Sequence, residues 1–305
     1  MIPSFKQGTK THSIASSSRN PGCLAQLIIP FRRTGKTPER LCVVSHRETR
    51  MPRAVHSKAH ERHGLATIKN MVPAVAPAAI ALFAKAPMPG GVKTRLQPPL
   101  DPVEAADLHL AFAADAWSKI KHLAPAATYL YSDIGSATYS DWAGAQARLQ
   151  RGEHLGERMA ACFLELQQTG HQRILIVGSD IPSLPLGYLQ LGLTMLQDCD
   201  AVLGPVDDGG YYAVGCRRPL PKMFDGVTWS SGHTREQTEV AFRHLGYSIQ
   251  LLPSWYDVDA FEDLRRLAAE PSLPPRTRAW VDQHAHLFPA LADNEQQAAR
   301  TAHRS

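Results

Sequence analysis

Apolar and polar positions divide the chain at about residue 75. Before it, hydrophobic periodicity is weak, and the one apolar patch is 24–31. After it, Ala78-Ala-Ile-Ala-Leu-Phe-Ala84 is a continuous apolar run. Such a run predicts a strand buried on both faces of a parallel sheet. Asp101 and Pro102 then predict a helix start, Asp as N-cap and Pro in the first turn. Val103, Leu108, Ala111, Phe112 and Ile120 lie roughly along one face of that helix. Further strands are predicted over 126–131, 173–177, 201–203, 211–214 and 248–252. Helices are predicted over 155–168, 186–197, 233–245, 261–269 and 276–287. Strands alternating with helices predict an α/β fold, with a mostly parallel sheet covered by helices on both faces. Ligands of such sheets bind at the carboxyl ends of the strands, so residues just after strands are the informative ones.

Length and charge refine this picture. A chain of 305 residues suits one large α/β domain with extensions. The expected organisation is a basic, disordered extension over 1–75, a transferase-like domain over 76–290 and a polar tail over 291–305. Met71 stands as a possible true start, and a transit-type address is the functional alternative for the extension. The net charge of +5 is concentrated there: residues 1–70 hold 13 Lys or Arg against 3 Asp or Glu, and the remainder holds 20 against 25. The body is therefore mildly acidic and gives no reason to expect nucleic-acid binding. Five cysteines, widely spaced and without a CxxC, are neither a disulfide framework nor a zinc site. Reduced thiols in a cytoplasmic protein are the expectation, and no apolar run approaches the roughly 20 residues of a membrane span.

The candidate chemistry follows the strands. Lys85-Ala-Pro-Met-Pro-Gly-Gly-Val-Lys-Thr-Arg-Leu96 leaves the first strand directly. Gly90 and Gly91 allow backbone N–H groups to approach an anion, while Lys85, Lys93 and Arg95 bring three cations beside Thr94. This is a phosphate-gripping loop, though neither a P-loop nor a GxGxxG fingerprint. Asp180 follows the strand at 173–177, where a carboxylate can hold Mg²⁺ together with phosphates and water. Its other possible role is a helix N-cap. Asp257 and Asp259 alternate after the strand at 248–252 and share one face if extended; either could complete a metal site or cap the helix near Phe261. Asp207-Asp-Gly-Gly210 before Tyr211 reads on turn chemistry as a hairpin.

Five segments occur in order: Phe83-Ala-Lys-Ala-Pro with Gly90-Gly-Val-Lys-Thr-Arg-Leu96, Gly152 to Met159, Gly178-Ser-Asp-Ile-Pro-Ser-Leu184, Gly204-Pro-Val-Asp-Asp-Gly-Gly-Tyr-Tyr212 and Asp257-Val-Asp259. Together they resemble the DUF2064 proteins, grouped with the nucleotide-diphospho-sugar transferases of GT-A fold, over residues 78–269. The resemblance implies a single GT-A, Rossmann-like domain and a divalent metal, Mg²⁺ or Mn²⁺, on Asp180 and Asp259. It also implies that Asp208, Gly209, Gly210 and Tyr211 face the acceptor or sugar. Ala260 and Phe261 depart from the DTPEDL-like pattern around Asp259, and Ser231 and Thr234 depart from the stretch containing Trp229 and Thr238. Glu157 and Arg158 open a helix and either support the site or form a surface ion pair.

The expected function is a metal-dependent transferase acting on a nucleotide or nucleotide-sugar and a small-molecule acceptor. In glycosyl transfer, Lys93 and Arg95 would neutralise the departing diphosphate, and Asp208 would position or deprotonate the acceptor hydroxyl. The rival is nucleotidyl transfer with release of pyrophosphate; the Lys93-Thr-Arg-Leu96 segment also resembles the loop of phospholactate guanylyltransferases. A non-catalytic nucleotide-binding module is the third reading.

Overall fold

The computed structural model describes residues 77–123 and 125–289. The expectations for 1–75 and 291–305 lie outside the described residues. Strand β1 (Ala78–Ala84) is buried along its whole length, as its uninterrupted apolar sequence requires. It pairs in parallel with β2 (Ala127–Ser132) on one side and β4 (Arg173–Gly178) on the other. With β3 (Ala147–Leu149), β5 (Ala201–Pro205), β6 (Tyr211–Cys216) and β7 (Ile249–Leu251), the sheet has seven strands in the order β3-β2-β1-β4-β6-β5-β7. Only β6 runs against its neighbours, β4 and β5. The sheet is thus mostly parallel, and the Asp207–Gly210 segment is the expected hairpin turn.

Side chains alternate across the sheet and build a core on each face. Ile80 and Leu82 pack with Trp117 of α1 (Pro102–Ile120), Tyr139 of α2 (Ala137–Ala143) and Leu189 of α4 (Leu186–Met195). Ala79 and Ala81 pack with Phe163 of α3 (Leu155–Gln168) and Phe242 of α5 (Thr234–His244). A third cluster joins α1 to α6 (Phe261–Ala268) and α7 (Pro275–Gln283) through Phe112, Leu264 and Trp280. Among the described residues no helix is long and apolar enough to cross a membrane.

Local signals account for most boundaries. Asp101 accepts from the Val103 and Glu104 amides at 2.7 and 2.9 Å, and Glu104 accepts from the Asp101 amide at 2.9 Å. That is a full capping box at the expected start of α1. The expected helix over 276–287 ends earlier, at Gln283. The ring of His284 stacks on Trp280 at 3.9 Å, its Nδ1 lies 2.8 Å from the Trp280 carbonyl, and a short 3-10 turn follows. Helix α2 and strand β3 had no counterpart in the sequence reading, because each is too short to show a period.

Asp200 fixes the far side of the sheet. Its carboxylate accepts from the Ser248 amide (3.0 Å) and hydroxyl (2.9 Å), and pairs with Arg217 (3.1 Å) and Arg218 (2.8 Å). Burial alone would raise its pKa, but the Ser248 hydrogen bonds and the two guanidinium groups hold it well below the usual carboxylate range. A depressed folded pKa adds stability above the unfolded value of about 4, and that stability fades as pH falls through the folded value. Asp200→Asn is therefore expected to cost about 1–3 kcal/mol at pH 7. In urea unfolding the gap from the native chain should narrow below pH 4; a constant gap would contradict this role.

Candidate active site at the carboxyl edge of the sheet

A cleft of about 510 Å³ opens where β1 and β4 end. Lys85, Lys93, Thr94, Arg95, Asp180 and Asp259 all line it, along with His109, Gln150, Arg158, Trp229 and Ser230. Gly90, Gly91, Asp208, Gly209, Gly210 and Tyr211 are not part of this lining.

The loop after β1 is more folded in on itself than its glycines and cations suggest. Gly90 takes a left-handed φ of 77°, and the Gly91 amide turns back to the Met88 carbonyl at 2.9 Å. Val92 and Leu96 are buried. Lys93 is itself left-handed (φ 49°), which is uncommon outside glycine and turns its side chain inward. Its ammonium donates to the Val258 carbonyl at 2.6 Å and pairs with Asp180 at 2.9 Å and Asp259 at 3.7 Å, with only 4% of the side chain exposed. The ring of Phe112 lies 5.5 Å below it. Lys93 thus bridges the site's own acids, while Arg95 is 67% exposed and 3.4 Å from Asp259. Lys85 is exposed at the start of the loop.

Asp180 does not cap a helix: α4 begins at Leu186 with no side-chain cap. Its carboxylate meets Lys93 and, at 3.6 Å, His109 Nδ1. Burial pushes its pKa up, but Lys93 and His109 outweigh burial and hold it well below the usual range. The Asp180 carbonyl accepts from the Val258 amide at 3.0 Å, so the loop after β4 and the segment after β7 are tied together.

That later segment carries the alternating acids. The cap of α6 is made by Asp263, which accepts from the amides of Asp259 (3.2 Å) and Ala260 (2.8 Å). Asp257 and Asp259 are therefore released from capping. One oxygen from each of Asp208, Asp257 and Asp259 lies within 4.8 Å of the others. Burial, then the charges of Asp259 and Asp208, raise the Asp257 carboxyl to about 6. Asp208 reaches this cluster from the β5–β6 turn, where its Oδ1 accepts from the Gly210 amide at 2.9 Å. Gly209 (φ 90°) has no room for a side chain, since a Cβ would stand 2.0 Å from the Gly232 carbonyl oxygen. Gly209→Ala is expected to destabilise the chain by roughly 2–4 kcal/mol through backbone strain and this clash. A thermal melt unchanged from the native chain would refute it.

Other expectations receive a definite geometry. The Tyr211 hydroxyl is buried, beside Thr238 of α5, and burial pushes it up. Ser231 and Thr234 bond each other and the Thr228 carbonyl at the start of α5. Glu157 accepts from the Glu153 amide (2.8 Å) and lies 3.5 Å from His154, whereas Arg158 donates to the Gly152 carbonyl (3.1 Å); the two form no ion pair with each other.

Sequence reasoning missed His109, Tyr139 and Asp133. The Lys85 carbonyl accepts from Tyr139 at 2.8 Å and lies 2.9 Å from His109 Nε2. Asp133 accepts from the Ala86 amide at 2.7 Å. These contacts fix the first residues of the loop from beneath. The available signal was His109 itself, a polar residue flanked by Leu108 and Leu110 in a helix that starts beside the loop.

The family model described as an uncharacterized protein conserved in bacteria (DUF2064) matches residues 109–231. The crystal structure of a candidate nucleotide-diphospho-sugar transferase from Desulfovibrio desulfuricans G20 is 32% identical, with 70% of this chain and 97% of that one aligned at a TM-score of 0.64. The bifunctional IspDF of Campylobacter jejuni is 13% identical over 65% of this chain and 55% of its own, at 0.41. A CMP:2-keto-3-deoxy-manno-octonic acid synthetase complexed with CTP is 13% identical over 62% and 95%, at 0.42. These last two are too distant to bear on the reaction. No curated protein matches the chain.

Proposed function

Since this chain belongs to the DUF2064 family, we propose that it is a metal-dependent transferase that moves a glycosyl group from a nucleotide-diphospho-sugar to a small-molecule acceptor. One observation carries the reading. At a single sheet edge, the cleft with Lys85 and Arg95 adjoins a cluster of three carboxylates drawn from two distant segments. The description of the Desulfovibrio relative supports the donor class.

The donor set fits Mg²⁺ or Mn²⁺. Asp257 and Asp259 offer hard oxygens, and a divalent ion of this type commonly uses one or two carboxylates, with phosphates and water completing its shell. Burial, and after it the negative charges of Asp259 and Asp208, raise the Asp257 pKa, and a cation would relieve that crowding of charge. When bound, the cation supplies charge neutralisation at the diphosphate. Asp208 is the acid then left to position the acceptor hydroxyl or take its proton. Arg95 and Lys85 hold the diphosphate and favour its departure. In this arrangement Asp180 acts through Lys93, clamping the loop against Val258, and Asp259 would hold the cation together with Asp257.

The test is turnover of nucleotide-diphospho-sugars with Mg²⁺ or Mn²⁺, read as release of nucleoside diphosphate and lost on adding EDTA. Pyrophosphate released from nucleoside triphosphates would identify nucleotidyl transfer instead. Nucleotide binding indifferent to EDTA, without turnover, would identify a binding module.

A further inference from the structure

The cleft's charges do not all pair internally. Its two acids, Asp180 and Asp259, are matched by Lys93 and Arg95. Lys85 and Arg158 have no carboxylate partner among the described residues. These two cations also arise at separate places. Lys85 directly follows β1, whereas Arg158 stands in the first turn of α3, after β3. Lys85 and Arg95 belong to the loop after β1, whereas Arg158 comes from a different element, so it is free to meet a different anionic group in the same cleft.

The surroundings of Arg158 are those of a built wall. Its Nε donates to the Gly152 carbonyl at 3.1 Å, which sets the plane of the guanidinium and leaves its terminal N–H groups without partners. The indole of Trp229 lies against the same turn of α3, because Gly156 has no side chain: a Cβ there would be 2.6 Å from Trp229 Cζ2. Phe224 backs the indole edge-on at 5.9 Å. The next residue, Ser230, has a φ of 56°, a left-handed conformation costly for serine, and it too lines the cleft. Strain of this kind persists where the surrounding structure fixes a functional side chain. A fixed aromatic surface beside an unpaired guanidinium suits a ring that carries an anionic group.

We propose that this wall is the acceptor subsite and that the acceptor is a phosphorylated sugar, its phosphate on Arg158 and its ring against Trp229. The proposal deepens the transferase reading and rests on it for the word acceptor, while the binding preference can be tested apart from turnover.

The experiment is calorimetric titration of the full chain with a panel of hexose and pentose phosphates and the corresponding free sugars, with and without a nucleoside diphosphate and Mn²⁺. At least one phosphorylated sugar is expected to bind about ten-fold or more tightly than its free counterpart. Arg158→Gln should remove that preference, Arg158→Lys should keep part of it, and nucleoside diphosphate affinity should stay within about two-fold in both variants. Circular dichroism confirms that each variant is folded. The proposal is overturned if no phosphorylated sugar outbinds its free form, or if Arg158→Gln weakens the nucleotide as much as the sugar phosphate. Absence of nucleotide binding would instead count against the transferase reading and leave the sugar comparison standing.

Discussion

Lys93→Met is expected to reduce turnover by about a hundred-fold or more, because the loop and the acids it bridges lose their common anchor. The ammonium joins Val258, Asp180 and Asp259 and is almost wholly buried. Removing it leaves Asp180 with only His109 at 3.6 Å and Asp259 with only the exposed Arg95 at 3.4 Å. Complete burial would make that cost 3–5 kcal/mol. Asp180 and Asp259 keep 40% and 39% of their side chains exposed, however, so water screens them and about 2 kcal/mol is the expected loss. The pH dependence gives a second readout. In the native chain the depressed Asp180 pKa adds stability above about pH 4, lost only as pH falls through the lower folded value. In the variant that value rises toward or above the ordinary range, so acid should add little further destabilisation relative to pH 7. Urea unfolding from pH 7 to pH 3 and steady-state kinetics check both parts. Turnover within a few-fold of native would show that the clamp is dispensable.

Asp259→Asn and Asp257→Asn should each weaken Mn²⁺ binding by about a hundred-fold or more, exceeding the effect of second-shell changes at metal sites. The two variants should differ from lesions of the fold. Asp257 is crowded by burial and by the charges of Asp259 and Asp208, so neutralising it relieves repulsion. The metal-free Asp257→Asn protein should therefore be as stable as the native chain or slightly more so at pH 7. The sign follows from the raised pKa: the charged form is disfavoured in the folded state, so this group costs stability in full above about 6, and the cost fades as pH falls from there toward the unfolded value of about 4. Cation binding needs the charged form and should weaken as pH falls through about 6, earlier than for an ordinary carboxylate. Titration of Mn²⁺ between pH 5 and 8 would falsify this assignment if affinity stayed flat.

Much of the fold was legible because its signals are local and redundant. The run from Ala78 to Ala84 can be little other than a central strand, and Asp101 with Pro102 marks a helix start whatever surrounds it. Helix α2 was not legible, since seven residues give no period and only Ser136 marks its beginning. In the site, positions after strands were found but directions were not. Spacing places Lys93 in the loop; it does not reveal that a left-handed backbone turns its ammonium toward Val258. Whether Asp257 and Asp259 cap α6 could not be read either, because the answer lies in a third acid, Asp263, taking both amides. His109 escaped because its one signal, a histidine flanked by leucines on a helix, points to the site only once the strand end beside it is known.

Val258 is held at the heart of the clamp by its main chain: its amide donates to Asp180 and its carbonyl accepts from Lys93. Its side chain, wholly buried, contributes only apolar volume. The joint itself therefore does not depend on which apolar side chain residue 258 carries, although the buried site limits its size. Proline alone among apolar residues removes the donor outright. Residue 258 is an anchor whose importance lies in atoms common to almost every amino acid, so aligned sequences would understate it while a scan with proline would expose it.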